Sequence, residues 1–156
     1  MAHPSEVAIE VMESFPKQTY RNRCTITTPD GALTLSVPVQ RADSKQLTKD
    51  VEISYQQKWQ HQHWIALVSA YKRTPYFDYY ADFFRPFYEK ETKFLVDLNE
   101  GLHGVITQLI MNSEFKIQNS KFTSDWSGLD LEHCFGDGQS ILDMLFEYGP
   151  ETIMKI

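Results

Sequence analysis

Apolar and polar positions alternate with a period of two over the first third of the chain and with a period near 3.6 beyond it. "EVAIEV" (6–11) is short, apolar and rich in β-branched residues, as a buried strand requires. "CTITTPDGALTLSVPV" (24–39) reads as two strands joined at "PDG", where Pro29 presets φ and Gly31 accepts a positive one. Ile26, Leu33, Leu35 and Val37 alternate with polar neighbours, which leaves one face wet. Pro38 marks an edge position or a strand end. A polar loop (41–50) then leads to the short strand "VEIS" (51–54).

From Lys58 the pattern turns helical, with Trp64, Leu67, Val68 and Tyr71 at i, i+3, i+4 and i+7. Thr74-Pro75 is a natural N-cap and first-turn pair for a second helix. Pro86 is expected to interrupt that helix and start a third, whose stripe is Phe94, Leu95, Leu98, Leu102, Val105, Ile106, Leu109 and Ile110. Gly101 and Gly104 inside it each cost roughly 1 kcal/mol relative to Ala, so both are expected to permit close packing. "EFKIQNSKF" (114–122) returns to period two as a strand, and 124–139 is a loop. Ser140 and Asp143 form a capping box for a last helix that Gly149-Pro150 ends. There is no internal repeat.

The chain has 156 residues, 42% of them hydrophobic and 13% aromatic, enough for a real core in one domain spanning 1–156. A formal charge of -6 argues against a protein that coats nucleic acid, because that mode relies on a basic surface. It leaves room for a local basic pocket. Cys24 and Cys134 lack CxxC spacing and read as free thiols of a reducing cytoplasm, with one disulfide as the alternative. No stretch is long and apolar enough to insert into a membrane, and the N-terminus lacks a basic-then-apolar signal pattern. The expectation is a soluble, cytoplasmic domain.

Candidate chemistry concentrates in "KQTYRNRC" (17–24). If the stretch is extended, Lys17, Thr19, Arg21 and Arg23 share one face while Gln18, Tyr20 and Asn22 share the other. Three like charges on one face repel unless an anion lies opposite. Guanidinium forks suit phosphate, so a phosphate-bearing small molecule fits, and internal Asp and Glu partners are the structural alternative. His61 and His63 sit two apart at the start of a helix, about 200° around its axis, and cannot clamp one ion, so no metal site is expected. His63, beside Trp64, is a candidate general base or ligand donor, against the plainer reading of a hydrogen-bonded histidine at the core edge. The aromatic block at 75–88 suits a core more than a stacking platform. Glu132, His133 and Cys134 are adjacent in a loop and seldom converge on one point.

"KQTYRNRC", the hairpin ending in "LSVPV", "KDVEIS", "WQHQHWIALVSAYKRTPYFDYY" and "FGDGQSILDMLFEYGPE" together resemble the WbqC-like proteins of bacteria, from about residue 6 to 156. The resemblance, more than the spacing, implies an α/β fold: a small mixed sheet with a central block of helices. It also implies a role in O-antigen, lipopolysaccharide or other surface-polysaccharide biosynthesis. The activity expected from it is acyl or aminoacyl transfer onto a nucleotide-linked amino sugar, with the cofactor unknown. The alternative is a non-catalytic binding or assembly protein for an anionic glycan precursor or a partner enzyme. The resemblance carries over to Lys17, Gln18, Thr19, Tyr20, Arg21, Asn22 and Arg23, and to Ser36, Pro38, His63, Trp64, Ser69, Tyr71, Pro75 and Asn99. Of these, His63 is expected as general base, with Lys17, Thr19, Tyr20, Arg21, Asn22, Arg23, Trp64 and Tyr71 binding substrate. Family members begin with a further strand and helix ahead of "EVAIEV", so the resemblance implies an N-terminally shortened chain.

Overall fold

A computed structural model of the chain describes residues 11–15, 21–40, 45–111 and 140–154. The strand expected at 114–122, the loop at 124–139 and all of 6–10 lie outside the described residues, as do Lys17, Thr19, Tyr20 and the Glu132–Cys134 cluster.

Strand β1 (Arg23–Thr28) pairs antiparallel with β2 (Gly31–Ser36), in register from Arg23 opposite Ser36 to Thr28 opposite Gly31. Pro29 and Asp30 make the turn, and Gly31 follows it at φ +117°, a conformation that a side chain would resist. Ile26 and Leu35 are buried, whereas Leu33, two residues from the turn, is exposed beyond the helices that cover the rest. The expected "VEIS" strand forms only isolated bridges, Glu52 to Phe94 and Ile53 to Val39, between two extended neighbours. Ser54 N–H donates to the Pro38 carbonyl at 2.8 Å and Ile53 N–H to that of Lys93 at 2.9 Å. Every strand pairing among the described residues is antiparallel.

Helix α1 (Trp59–Tyr71) buries Trp59, His63, Leu67 and Tyr71, a line of steps of four. The expected stripe of Trp64, Leu67, Val68 and Tyr71 is thus rotated, with Trp64 and Val68 on its half-buried flank and His63 inside it at 8% exposure. Thr74 does not start the next helix; its hydroxyl donates to the Tyr71 carbonyl at 2.6 Å and closes α1 instead. Helix α2 (Phe77–Glu89) has Tyr76 as N-cap and runs straight through Pro86, contrary to the expected break. A proline inside a helix costs about 3 kcal/mol. Here its exposed position lets water serve the carbonyl that loses its donor, while Phe77, Phe84 and Tyr88 keep the buried face continuous. The break comes later, at 90–94, where Phe94 bridges to Glu52 before α3 (Leu95–Met111) begins.

The two glycines of α3 differ. A Cβ on Gly101 would lie 2.5 Å from Phe87 Cε1, so this glycine lets α2 and α3 approach, while a Cβ on Gly104 would meet nothing within 4 Å. Gly104→Ala is therefore expected to raise stability by about 0.5–1 kcal/mol through helix propensity alone. Gly101→Ala is expected to lower it by about 1 kcal/mol, the overpacking outweighing the propensity gain. Urea midpoints that move in the same direction for both variants would contradict the close approach at Gly101.

Helix α4 (Ile141–Tyr148) starts at the expected capping box: Ser140 Oγ accepts from Leu142 N–H at 3.2 Å and Asp143 accepts from Ser140 N–H at 2.7 Å. The described core forms two clusters. One gathers Ile26, Leu67, Tyr71, Phe77, Phe84 and Phe146; the other gathers Phe15, Val51, Ile53, Trp59, Leu95 and Leu98. Tyr88 and Leu102 pack against both. The mixed α/β class expected from the sequence is the one observed, with most described residues helical.

Candidate functional site

Arg21 and Asn22 precede β1 in a turn and a bend, so the alternation expected of an extended 17–23 segment does not reach them. Three hydrogen bonds fix this turn. Val37 N–H donates to the Asn22 carbonyl at 2.8 Å, Asn22 Nδ2 donates to the Val37 carbonyl at 3.1 Å, and Asn99 Nδ2 donates to the Arg21 carbonyl at 2.8 Å. The turn is thereby fastened to the end of β2 and to α3. Its consequence is that Arg21, Asn22, Arg23 and Cys24, four consecutive residues, all face one cavity of about 140 Å³. Trp59 and His63 of α1 and Tyr88 of α2 supply further walls, with Leu35, Val37, Leu98 and Leu102 as the apolar lining.

The two arginines differ in their engagement. Arg21 is ion-paired with Glu13, the internal neutralisation that a structural network would use. Arg23 has no carboxylate partner among the described residues, and its Nε is buried without a hydrogen-bond partner there. Asn22 Oδ1 and the indole Nε1 of Trp59 are likewise buried and unpartnered among the described residues. Because Asn22 Nδ2 is committed to Val37, its oxygen must be the end left open. Buried polar groups are ordinarily paired, so three unpaired ones on residues that line one cavity are unusual, although each atom is itself sealed from solvent.

His63 lies in the same wall, its ring 5.1 Å from that of Trp59 in an edge-on contact and 6.4 Å from that of Tyr88. Burial lowers its pKa, and a hydrogen bond to the Ser36 backbone acts in the opposite sense without cancelling the effect. The imidazole is therefore neutral near pH 7, with one ring nitrogen able to accept a proton. Cys24 is open to solvent, but the packing around it and then the Asp143 charge raise the pKa of its thiol, so it is not an activated nucleophile. Burial, then Cys24, pushes the Tyr88 phenol well upward, so it stays protonated and offers a neutral hydroxyl that can donate or accept a hydrogen bond.

A pH dependence follows from His63. In the unfolded chain the ring titrates near 6.5, and in the fold it titrates lower. As pH falls below about 6.5 the unfolded state therefore takes up the proton first, and stability present above that value is lost on the way to the folded pKa. His63→Gln is expected to flatten the dependence of the urea midpoint on pH between about 7 and 5. A slope equal to that of wild type would exclude a buried neutral imidazole.

The remaining candidates lie elsewhere. Trp64 stacks at 5.7 Å on Tyr88 and carries the Arg85 guanidinium 5.5 Å above its ring. Tyr71 sits in the first core cluster, where it packs on Phe146 and donates to Asp143. Neither lines the cavity. His61 is exposed while His63 is buried, and among the described residues no three His, Cys, Asp or Glu side chains converge to hold a metal. Among them, too, no helix is long and apolar enough to cross a membrane. Sequence reasoning passed over Trp59 and Tyr88. The available signal was the four-residue spacing of Trp59, His63, Leu67 and Tyr71, which places an indole one turn from the candidate histidine.

What the fold and cavity define is a mixed α/β protein whose hairpin and first three helices line a small, partly open cavity with basic and amide groups on an apolar lining. The chain belongs to the WbqC-like protein family, whose family model matches residues 7–128, a span that contains every cavity residue. Comparison with the curated proteins and with the solved structures finds no match.

Proposed function

We propose that the chain is a cytoplasmic transferase of bacterial surface-polysaccharide (O-antigen-type) biosynthesis, acting on a nucleotide-linked amino sugar by acyl or aminoacyl transfer. The observation that carries this reading is the presence of His63, neutral and partly shielded from water, in one cavity with Arg23, which has no carboxylate partner among the described residues. In this assignment Arg23, aided by Arg21, holds phosphate. Asn22 orients the sugar or acyl group. His63 takes the proton from the attacking amine or hydroxyl. The alternative reading, a non-catalytic binding protein for an anionic glycan precursor, draws support from Cys24, whose raised thiol pKa leaves the cavity without a strong nucleophile of its own.

A thermal-shift titration with a panel of nucleotide sugars tests the assignment. A ligand at a hundred times its dissociation constant stabilises the fold by about 2.7 kcal/mol. Wild type and His63→Gln are expected to show that shift with the same nucleotide sugar, and only wild type is expected to turn it over when an acyl donor is supplied. A shift without turnover in either protein favours the binder. No shift with any nucleotide sugar contradicts both readings.

A further inference from the structure

The cavity wall divides by chemistry, and the division restricts which part of a substrate it can hold. Most of the wall is apolar, supplied by Leu35 and Val37 on the hairpin, Leu98 and Leu102 on α3, and the ring of Tyr88 on α2. Its charged residues are Arg21 and Arg23, and no Asp or Glu lines it among the described residues. The volume of about 140 Å³ is close to the ~150 Å³ that admits benzene, so there is room for about six non-hydrogen atoms. A sugar ring or a nucleotide is too large for it and stays at the mouth. A short aliphatic chain fits the space, and the leucines return its burial energy.

We infer that the cavity holds the chain of the acyl group being transferred, and that this group is short, neutral and aliphatic, acyl and not aminoacyl. This rests on the proposed reading that the cavity is the site of transfer, and it names the class of donor, a short-chain acyl thioester. The amine of the sugar attacks the thioester carbonyl from the mouth as the neutral base, a form that nearby cations favour. A C–N bond forms and the C–S bond breaks, while His63 takes the proton from nitrogen and returns it to the departing sulfur. An aminoacyl group would bring a second amine that takes no part in the reaction. Its ammonium would enter an apolar wall beside two guanidinium groups, with no carboxylate of the lining to meet it among the described residues.

The test is calorimetric titration of the full chain with the transfer products: UDP-glucosamine bearing N-acetyl, N-propanoyl, N-butanoyl, N-hexanoyl, N-decanoyl or N-glycyl groups, and N-butanoylglucosamine without the UDP. Affinity is expected to rise about tenfold from acetyl to butanoyl, as two methylenes are buried, and to stop rising before decanoyl. Propanoyl and glycyl differ only in a terminal methyl against an ammonium, and propanoyl is expected to bind at least about tenfold more tightly. Leu102 is half-buried on the wall, and Leu102→Ala is expected to carry the rise on to longer chains than in wild type. The wild-type series decides by itself if that variant does not fold. Equal affinity for acetyl and butanoyl, a rise that continues to decanoyl, or glycyl binding as tightly as propanoyl overturns the acyl cavity and leaves the nucleotide-sugar reading standing. N-Butanoylglucosamine binding as tightly as its UDP form, with the chain-length pattern intact, does the reverse. No binding of any probe overturns both.

Discussion

Asp143→Ala is expected to destabilise the protein by about 3–5 kcal/mol, because one buried carboxylate ties together three parts of the fold. Its oxygens accept from Thr27 N–H at 3.2 Å and the Thr27 hydroxyl at 3.1 Å on β1, from Ser140 N–H at 2.7 Å at the start of α4, and from the Tyr71 hydroxyl at the end of α1. Alanine would leave the Tyr71 hydroxyl buried without its acceptor and would uncap α4. Tyr71→Phe removes only one of these bonds and is expected to cost about 1–2 kcal/mol. The double variant should cost less than the sum of the two, since both act on one network. An unfolding free energy from urea titration for Asp143→Ala within about 1 kcal/mol of wild type, at an unchanged m-value, would refute the node.

Gly149→Ala carries the second large effect. Gly149 follows α4 at φ +54° and is buried under the ring of Tyr76, and a Cβ there would lie 2.5–2.6 Å from Tyr76 Cδ1, Cε1 and Cγ. The face of the ring blocks the position, so no small rotation of Tyr76 makes room. Left-handed backbone costs a non-glycine residue about 1–2 kcal/mol and overpacking adds about 1–3 kcal/mol, giving an expected loss near 3 kcal/mol. Tyr76→Ala combined with Gly149→Ala should relieve the steric part and leave the backbone part. If Gly149→Ala melts with wild type, the packing of Tyr76 on this turn is wrong.

Much of this architecture is written in local chemistry. The Pro29–Gly31 turn, the capping box at Ser140 and the stripe of α3 follow from signals within a few residues of each other, and they appear where expected. What escaped the sequence depends on tertiary context. Thr74 can cap either the helix before it or the helix after it, and only the folded chain shows that it closes α1. Pro86 breaks a helix in water, yet the aromatic face of α2 carries the helix through it. The capping box at Asp143 was legible, but its bonds to Thr27 and Tyr71 span 116 and 72 residues and leave no local trace.

The candidate site was half legible for the same reason. Cations and amides crowd the 17–24 stretch visibly, and His63 stands out beside Trp64. That Arg21 is tied to Glu13 while Arg23 is not depends on how residues 11–15 lie against the 45–50 segment. That Asn22 joins the arginines, instead of facing away, depends on the turn held by Val37 and Asn99. Trp59 was invisible as a site residue because an indole at the start of an apolar stripe looks like core, which it also is.

Whether the cavity lined by Arg23, Asn22, Trp59 and His63 holds a ligand decides what the protein does. Calorimetric titration of wild type and Arg23→Met with UDP-N-acetylglucosamine addresses it most directly, since methionine keeps the aliphatic stem and removes the guanidinium. Saturable binding to wild type, weakened at least about tenfold in a variant that melts no earlier than wild type, is the result expected of a binding residue whose buried nitrogen contributes nothing to the fold. No binding to wild type, together with a clear drop in the melting temperature of Arg23→Met, would show instead that the arginine is there to hold the structure.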